Sequence, residues 1–178
     1  MPAYVSFQRG INVGGRNLVP MAKLKELHES LRFENVRTHL QSGNVVFTTK
    51  KSDPEKLAKQ IAAKLGEIVV MVRSTDDLRE AVRLNPFPKE AKSEPSALVV
   101  LFLSAEPAAD AKKRFLDVNV GPEKKAFAGR ELYIHYGAGM GKSKLTNALI
   151  EKTLGVRATA RNWNTVTRLL EMAESLEG

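Results

Sequence analysis

The chain has 178 residues, of which 43% are hydrophobic, and its net charge at pH 7 is +8. This length allows one domain or two small ones, and the apolar content is sufficient for a packed core. The sequence has no run of 18 apolar residues to cross a membrane and no cysteine for a disulfide or a thiolate metal site. Its first ten residues lack a charged start followed by an apolar stretch, so we expect no signal peptide, no membrane contact and a cytoplasmic location.

The first part of the chain is predicted to have the element order β-α-β-β-α-β. Apolar residues recur at helical spacing after Pro20, which suits a first helical position. Asp53 before Pro54 is typical of a helix N-cap followed by proline. The predicted elements are a strand over Ala3–Gln8, a helix from Pro20, strands over Val36–Leu40 and Asn44–Thr48, a helix from Pro54 and a strand over Glu67–Val72.

The second part repeats this order after a short helix. Gly129-Arg130 is typical of a hairpin turn, Ser143 of a helix N-cap, and Gly155 of the residue after a helix. The predicted elements are a helix from Thr75 to about Leu84, a strand over Leu98–Leu103, a helix from Pro107, strands over Lys124–Ala128 and Glu131–Tyr136, a helix capped by Ser143, a strand over Arg157–Ala160 and a closing helix from about Asn164.

The doubled pattern predicts an α+β fold with two tandem ferredoxin-like βαββαβ repeats, a linker helix and a C-terminal helix. The expected segments are a first repeat over 1–73, a linker over 74–96, a second repeat over 97–161 and a docking helix over 162–178. This topology also predicts which loops share an end of each sheet. It places residues 9–17 beside residues 41–44, and residues 137–144 beside residues 161–164.

The segment Tyr136–Ser143 nearly matches the phosphate-binding loop G-x-x-x-x-G-K-[ST], but its first glycine comes one position late. Only 35 residues follow Ser143, and the apolar strands continue into Arg73 and Ser104 rather than into a Walker-B aspartate. The segment therefore predicts a turn that favours an anion, and the sequence excludes a P-loop nucleotide hydrolase.

Four sequence blocks resemble those of one family, domain-of-unknown-function family 1697. The resemblance implies a mainly bacterial family with a tandem ferredoxin-like fold and no established activity, and it supplies no catalytic residues. The blocks are Arg9–Asn17, Gln41–Phe47, Gly139–Asn147 and Thr159–Thr165.

The first two blocks contain candidate ligand-binding residues. Gly14 and Gly15 allow the backbone to approach a ligand closely, and the two arginines are suited to bidentate contact with an anion. The amide side chains offer both donors and acceptors, as a base edge or a sugar requires. A tight turn alone explains the glycines equally well, and Asn44 commonly stabilises a hairpin. The candidates in this cluster are Arg9, Asn12, Gly14, Gly15, Arg16, Asn17, Gln41, Ser42 and Asn44.

The last two blocks form a second candidate cluster. Lys142 and Lys144 flank Ser143 at an expected helix N-terminus, where free N–H groups and the helix dipole favour an anion. Ser143 is also explained as a simple N-cap, and Trp163 either stacks on a base or anchors its helix in the core. The candidates are Gly139, Gly141, Lys142, Ser143, Lys144, Arg161, Asn162, Trp163 and Asn164.

The basic charge and these loops predict binding of a phosphorylated or anionic ligand, such as a nucleotide or a nucleic-acid backbone. The alternative is an enzyme that acts on a small anionic metabolite at the junction of the two repeats. RNA binding on the sheet face is not expected, because Val5 and Phe7 fit the core better than an open face. No metal or cofactor is expected, since the three histidines lack ligand spacing.

Overall fold

A computed structural model of the chain describes residues 1–13, 15, 17–40, 43–66, 68–137 and 139–178. It is an α+β structure with two four-stranded antiparallel sheets. The chain divides into two compact units, the first formed by Met1–Arg79 with Arg168–Gly178 and the second by Glu80–Thr167. The four-segment division expected from the sequence stays a prediction.

The first unit contains one sheet with the strand order β2-β3-β1-β4. Asp53 caps its second helix by accepting hydrogen bonds from two backbone N–H groups, so the predicted N-cap is confirmed. The elements are β1 Ala3–Gln8, α1 Met21–Ser30, β2 Glu34–Thr38, β3 Asn44–Thr48, α2 Pro54–Leu65, β4 Val70–Ser74 and α3 Thr75–Arg83, whose last four residues belong to the second unit.

Helices α1 and α2 cover one face of this sheet. Tyr4 pairs with Phe47 across β1 and β3, and both side chains pack with Leu24 of α1 and Ile61 of α2. Because side chains alternate along a strand, Ser6 lies on the same face, whereas Val5 and Phe7 lie on the other. Val5 and Phe7 are fully buried, so the expectation that they fit the core is confirmed, although they lie on the face opposite α1 and α2.

The second unit has the equivalent strand order, β6-β7-β5-β8. Its helices α5 and α6 pack on one face around Phe115, Leu101, Ile134 and Leu154. The remaining elements are α4 Pro88–Ser93, β5 Leu98–Leu103, α5 Ala109–Asp117, β6 Lys124–Ala128, β7 Glu131–His135, a 3-10 turn over Met140–Lys142, α6 Asn147–Leu154, β8 Ala158–Asn162 and α7 Trp163–Glu177, which continues from Arg168 into the first unit.

The prediction for the second unit misses one helix and misplaces the start of another. Helix α4 was not expected, because the short charged segment around Pro88 has no apolar periodicity of its own, yet Pro88 stands at its start. Helix α6 begins at Asn147 rather than directly after Ser143, and the cap is Thr146, whose hydroxyl accepts from the Leu149 N–H at 3.2 Å. This second difference changes the interpretation of the glycine-rich segment.

Candidate ligand-binding site

The loop that follows β1 is tied to two other segments by backbone hydrogen bonds. The N–H of Gln8 donates to the carbonyl of Gly43 at 3.0 Å, and the N–H of Arg9 donates to the carbonyl of Val69 at 2.9 Å. Gly43 closes the β2–β3 turn, and Val69 precedes β4. The predicted meeting of the β1–α1 loop with the β2–β3 turn is confirmed by Ile11, whose side chain lies against Gly43. Gly14, Arg16, Gln41 and Ser42 lie outside the described residues.

Asn12 holds the two ends of this loop together. Its side-chain amide donates to the carbonyl of Val19 at 2.8 Å, and its side-chain oxygen accepts from the Val19 N–H at 2.8 Å. The backbone N–H of Asn12 also donates to the carbonyl of Asn17 at 3.1 Å. Asn12 and Asn17 both have left-handed backbones, with φ values of 55° and 49°. Asn12 therefore shapes the loop instead of presenting its amide to a ligand.

A surface cavity of about 380 Å³ lies between this loop and the connection from α2 to β4. The half-buried Arg9 lines it from the loop, together with the exposed Asn17, whose amide donates to the Gly10 carbonyl at 3.2 Å. Leu65 at the end of α2 and Ile68 are half-buried and pack against the core of the first unit. The described lining residues are Arg9, Asn17, Leu65, Ile68 and Val69.

Asn44 has a structural role in the hairpin. Its amide donates to the carbonyl of His39 at 2.8 Å, and the side chain is fully buried in β3. Gly43 before it has a φ of +91°, and a side chain there would lie 2.7 Å from the Ile11 side chain. Asn44 therefore stabilises the hairpin, which is one of the two roles that the sequence predicts for it.

The glycine-rich segment of the second cluster does not lie at the N-terminus of helix α6. Ser143 follows the 3-10 turn and is half-buried; its hydroxyl donates to the carboxylate of Glu123 and accepts from the Leu145 N–H at 2.9 Å. Leu145 is buried, and its carbonyl accepts from the Tyr136 hydroxyl at 3.0 Å, which holds this segment in an extended form. A carboxylate beside Ser143 disfavours an anion there. Gly139, Gly141, Lys142 and Lys144 are exposed on this turn.

Strands β7 and β8 end on the same side of their sheet, as predicted. His135 of β7 pairs with Leu98, and Asn162 of β8 pairs with the adjacent Val99. Arg161, however, is buried within β8, and its guanidinium donates to the Thr159 hydroxyl at 2.7 Å and to the Ala160 carbonyl at 2.8 Å. Burial lowers the pKa of the Arg161 guanidinium to about 10, so the group remains charged at neutral pH.

The residues after Arg161 begin helix α7. The side-chain oxygen of Asn162 accepts from the Thr165 N–H at 2.9 Å, as in an N-cap. Trp163 is half-buried in the first turn, and the exposed Asn164 donates to the Ser96 hydroxyl at 3.4 Å. Asn162 therefore serves the helix start, and the stacking role considered for Trp163 stays a prediction.

A polar chain in the core of the first unit was missed by sequence reasoning. The Nδ1–H group of His28 donates to the Leu24 carbonyl at 2.8 Å, so its Nε2 accepts from the Ser6 hydroxyl at 2.8 Å. Gln8 in turn donates to Ser6 at 2.8 Å. Burial lowers the pKa of His28 to about 4. Because Ser6, Gln8 and His28 are fully buried, this serine–histidine pair is inaccessible to a substrate.

The part of the chain that the structure describes was also compared with what a metal site and a membrane span require. Within it, no group of three or more His, Asp or Glu side chains is placed to hold a metal ion. None of its helices is long and apolar enough to cross a membrane.

The described residues define an α+β protein with a surface cavity beside the β1–α1 loop. The family model described as "Protein of unknown function (DUF1697)" matches residues 1–133, and the chain belongs to this family. The matched range includes the blocks Arg9–Asn17 and Gln41–Phe47, and the two later blocks lie beyond it.

A solved structure supports the fold. The conserved bacterial protein SP0830 from Streptococcus pneumoniae is similar with a TM-score of 0.70 and 22% sequence identity, over 97% of this chain and 98% of that chain. At this identity, the likeness concerns the fold alone. No curated protein matches the chain.

Proposed function

We propose that the protein binds a small phosphorylated or otherwise anionic molecule in the cavity of the first unit. The single observation that carries this proposal is the position of Arg9 in a preformed cavity of about 380 Å³. That volume is at the lower end of the range for small-molecule sites. Arg9 supplies a positive charge among the described residues that line it, and arginine is well suited to contact a phosphate or a carboxylate.

The hydrogen bonds of Arg9 and Asn12 support the proposal. The backbone of Arg9 is fixed by its bond to Val69, and the Asn12–Val19 pair closes the loop behind it. A site that is already formed loses less conformational entropy when a ligand binds. The glycine-rich turn of the second unit receives less support, because Glu123 hydrogen-bonds to Ser143.

Thermal unfolding in titrations with inorganic phosphate and AMP tests this proposal. A ligand at a hundred times its Kd stabilises the protein by about 2.7 kcal/mol, which raises Tm by roughly 5–10 °C for a chain of this size. We expect Arg9→Gln to abolish the shift. Arg37→Gln is the matched control, because Arg37 is exposed on β2, at the sheet edge opposite β4. The absence of a shift with either ligand, or an equal shift in Arg9→Gln, would overturn the proposal.

We also propose that each unit is a ferredoxin-like repeat. The support is the element order β-α-β-β-α-β in each unit and the matching strand orders β2-β3-β1-β4 and β6-β7-β5-β8, all antiparallel. An experimental structure with a different connection between any two of these strands would contradict this assignment.

A further inference from the structure

We propose that helix α4 is a strap that two ion pairs hold on the second sheet, and that its opening exposes the imidazole of His135. The strap consists of residues 88–94, which are α4 and the following Glu94. It belongs to the second unit and is independent of the proposed anion site in the first. The segment combines two charged contacts with little apolar burial.

The two ion pairs join one side of the strap to two neighbouring strands. The Lys124 ammonium donates to the Glu90 carboxylate at 3.1 Å, and the Nε2 atom of His135 lies 2.9 Å from the Glu94 carboxylate. Lys124 and His135 are directly paired across β6 and β7. Glu90 and Glu94 are four residues apart, and the Glu94 N–H donates to the Glu90 carbonyl at 2.8 Å, so both carboxylates lie on one face of the helix.

Apolar packing contributes little to holding the strap in place. None of the residues of α4 is buried, and four of the six are exposed. The strand β5 that follows consists, in contrast, of six buried residues. A segment with few buried apolar contacts opens locally at a lower free energy than the core beside it. We therefore expect the strap to open while β5 stays paired.

Hydrogen bonds on both sides limit the opening to this segment. Before the strap, the Tyr133 hydroxyl donates to the carbonyl of Ala81 in α3. After the strap, the Tyr136 N–H donates to the carbonyl of Ala97 at 2.8 Å. Both tyrosine side chains are buried in the second unit. The chain on either side thus stays attached when the strap leaves the sheet.

The ion pairs of the strap are accessible to water, whereas the histidine that it covers is not. The side chains of Lys124 and Glu94 are 60% and 53% exposed, and ion pairs of this kind contribute little stability and are screened by salt. His135 is buried, and Gly137 of the glycine-rich turn follows two residues later. An exposed imidazole can act as a base or as a ligand. Opening of the strap therefore adds an accessible imidazole to the start of this turn.

Modification of the three histidines by diethyl pyrocarbonate, followed by mass spectrometry, tests the strap. The reaction is run at pH 8, where an ordinary imidazole is neutral, so that its rate reports access. His39, which is half-buried in the first unit, is the internal reference. Raising NaCl from 0.1 M to 1 M shortens the Debye length from about 10 Å to about 3 Å, and it should increase the His135 rate relative to the His39 rate about threefold.

Two variants of opposite charge distinguish opening from a direct electrostatic effect on His135. Glu90→Gln removes a negative charge and Lys124→Gln removes a positive charge, but both break the same ion pair. Each should therefore raise the His135 rate about threefold. Glu106→Gln is the matched control, because Glu106 is an exposed carboxylate paired with Lys112 in the same unit. It should leave the rate unchanged.

The outcomes decide whether the strap opens by itself. Rates that change in opposite directions in the two variants, or a wild-type rate that does not respond to salt, would overturn the proposal. Trp163 is the single tryptophan and lies in the second unit, so its fluorescence reports unfolding of that unit. An emission shift that accompanies the rise in His135 modification would also overturn the strap. If circular dichroism shows that either variant is unfolded, the salt titration of the wild-type chain decides.

Discussion

The two units share a scaffold but carry their long connections at different places. In the first unit, residues 9–20 join the first strand to its helix, and only residues 49–53 follow the third strand. In the second unit the lengths are exchanged, with residues 104–108 after the first strand and residues 136–146 after the third. The same arrangement of strands therefore supports an elaborated loop at either end of its sheet.

A backbone bond that both units share shows how the same junction differs between them. Arg9 donates from its N–H to the carbonyl of Val69, and Ser104 donates in the same way to Arg157 at 2.9 Å. In the second unit the Ser104 hydroxyl also accepts from the Arg157 N–H at 2.9 Å, which seals the junction. In the first unit a long loop and an arginine replace this seal. The proposed binding site thus depends on the connection, while the scaffold stays constant.

The largest expected effect is a dependence of the folding stability on pH, which comes from His28 in the core of the first unit. The pKa of His28 is about 4 in the folded chain and 6.5 ordinarily, so below pH 6.5 the unfolded state takes up a proton that the folded state does not. The stability contributed by neutral His28 is present above pH 6.5 and is lost as pH falls towards 4, by about 3 kcal/mol. Urea unfolding at several pH values measures this loss.

His28→Gln should remove that part of the pH dependence, because glutamine does not titrate. His135→Gln, in the second unit, is the control that should retain it. A wild-type protein and a His28→Gln variant with parallel stability curves from pH 7 to pH 4 would contradict the assignment.

The next effect compares the hairpins of the two sheets. Gly43→Ala should destabilise the protein by about 3 kcal/mol, since a Cβ would lie 2.7 Å from the Ile11 side chain and φ is +91°. Gly129→Ala should cost about 1 kcal/mol, because its φ of +58° is ordinary left-handed backbone and only the flexible end of Leu84 is close. Chemical denaturation measures both, and equal losses would show that the two turns are equally tolerant.

A smaller effect tests the helix caps of equivalent helices. Asp53→Ala and Thr146→Ala should each cost about 1 kcal/mol, with the aspartate variant more affected because its charge also favours the helix dipole. Ser143→Ala should cost about half as much, because Ser143 caps no helix and loses only its hydrogen bonds with the half-buried Glu123 and the Leu145 N–H. A larger loss for Ser143→Ala than for Thr146→Ala would restore Ser143 as the cap.

The smallest effect concerns the glycine-rich turn of the second unit. Lys142→Ala and Lys144→Ala should change the free energy of unfolding by less than about 0.5 kcal/mol, since both side chains are exposed. Neither variant should alter the phosphate-induced rise in Tm. If either variant abolishes the rise in Tm, the anion site belongs to the second unit and not to the first.

Local signals in the sequence predicted most elements of this fold. The strand Ala3–Gln8 and the cap at Asp53 depend on neighbouring residues, and both are confirmed. The start of α6 was wrong because Ser143 and Thr146 are both suitable caps. The choice between them depends on Leu145, which is buried and bonded to Tyr136, and a local pattern does not contain this packing.

The candidate site was only partly predictable for the same reason. The strand topology predicts that the β1–α1 loop meets the β2–β3 turn. The cavity, however, is also lined by Leu65 and Ile68, which come from a third segment. Likewise, Ser6 faces the helices of the first unit because His28 bonds to it across 22 residues. Polar residues on a core face are invisible to hydrophobic periodicity, since their partners lie far away in the chain.

The paired hydrogen bonds between Asn12 and Val19 close the β1–α1 loop at its base, so residues inside the loop can be replaced without changing the rest of the fold. Val13 and Leu18 lie within this closure, and their side chains are 61% and 71% exposed, so changing them removes little core packing. Libraries randomised at these two positions should therefore yield variants with unaltered folding. An Asn12→Leu variant would lack these hydrogen bonds. In that variant, changes at Val13 and Leu18 should therefore affect the folding of the rest of the unit.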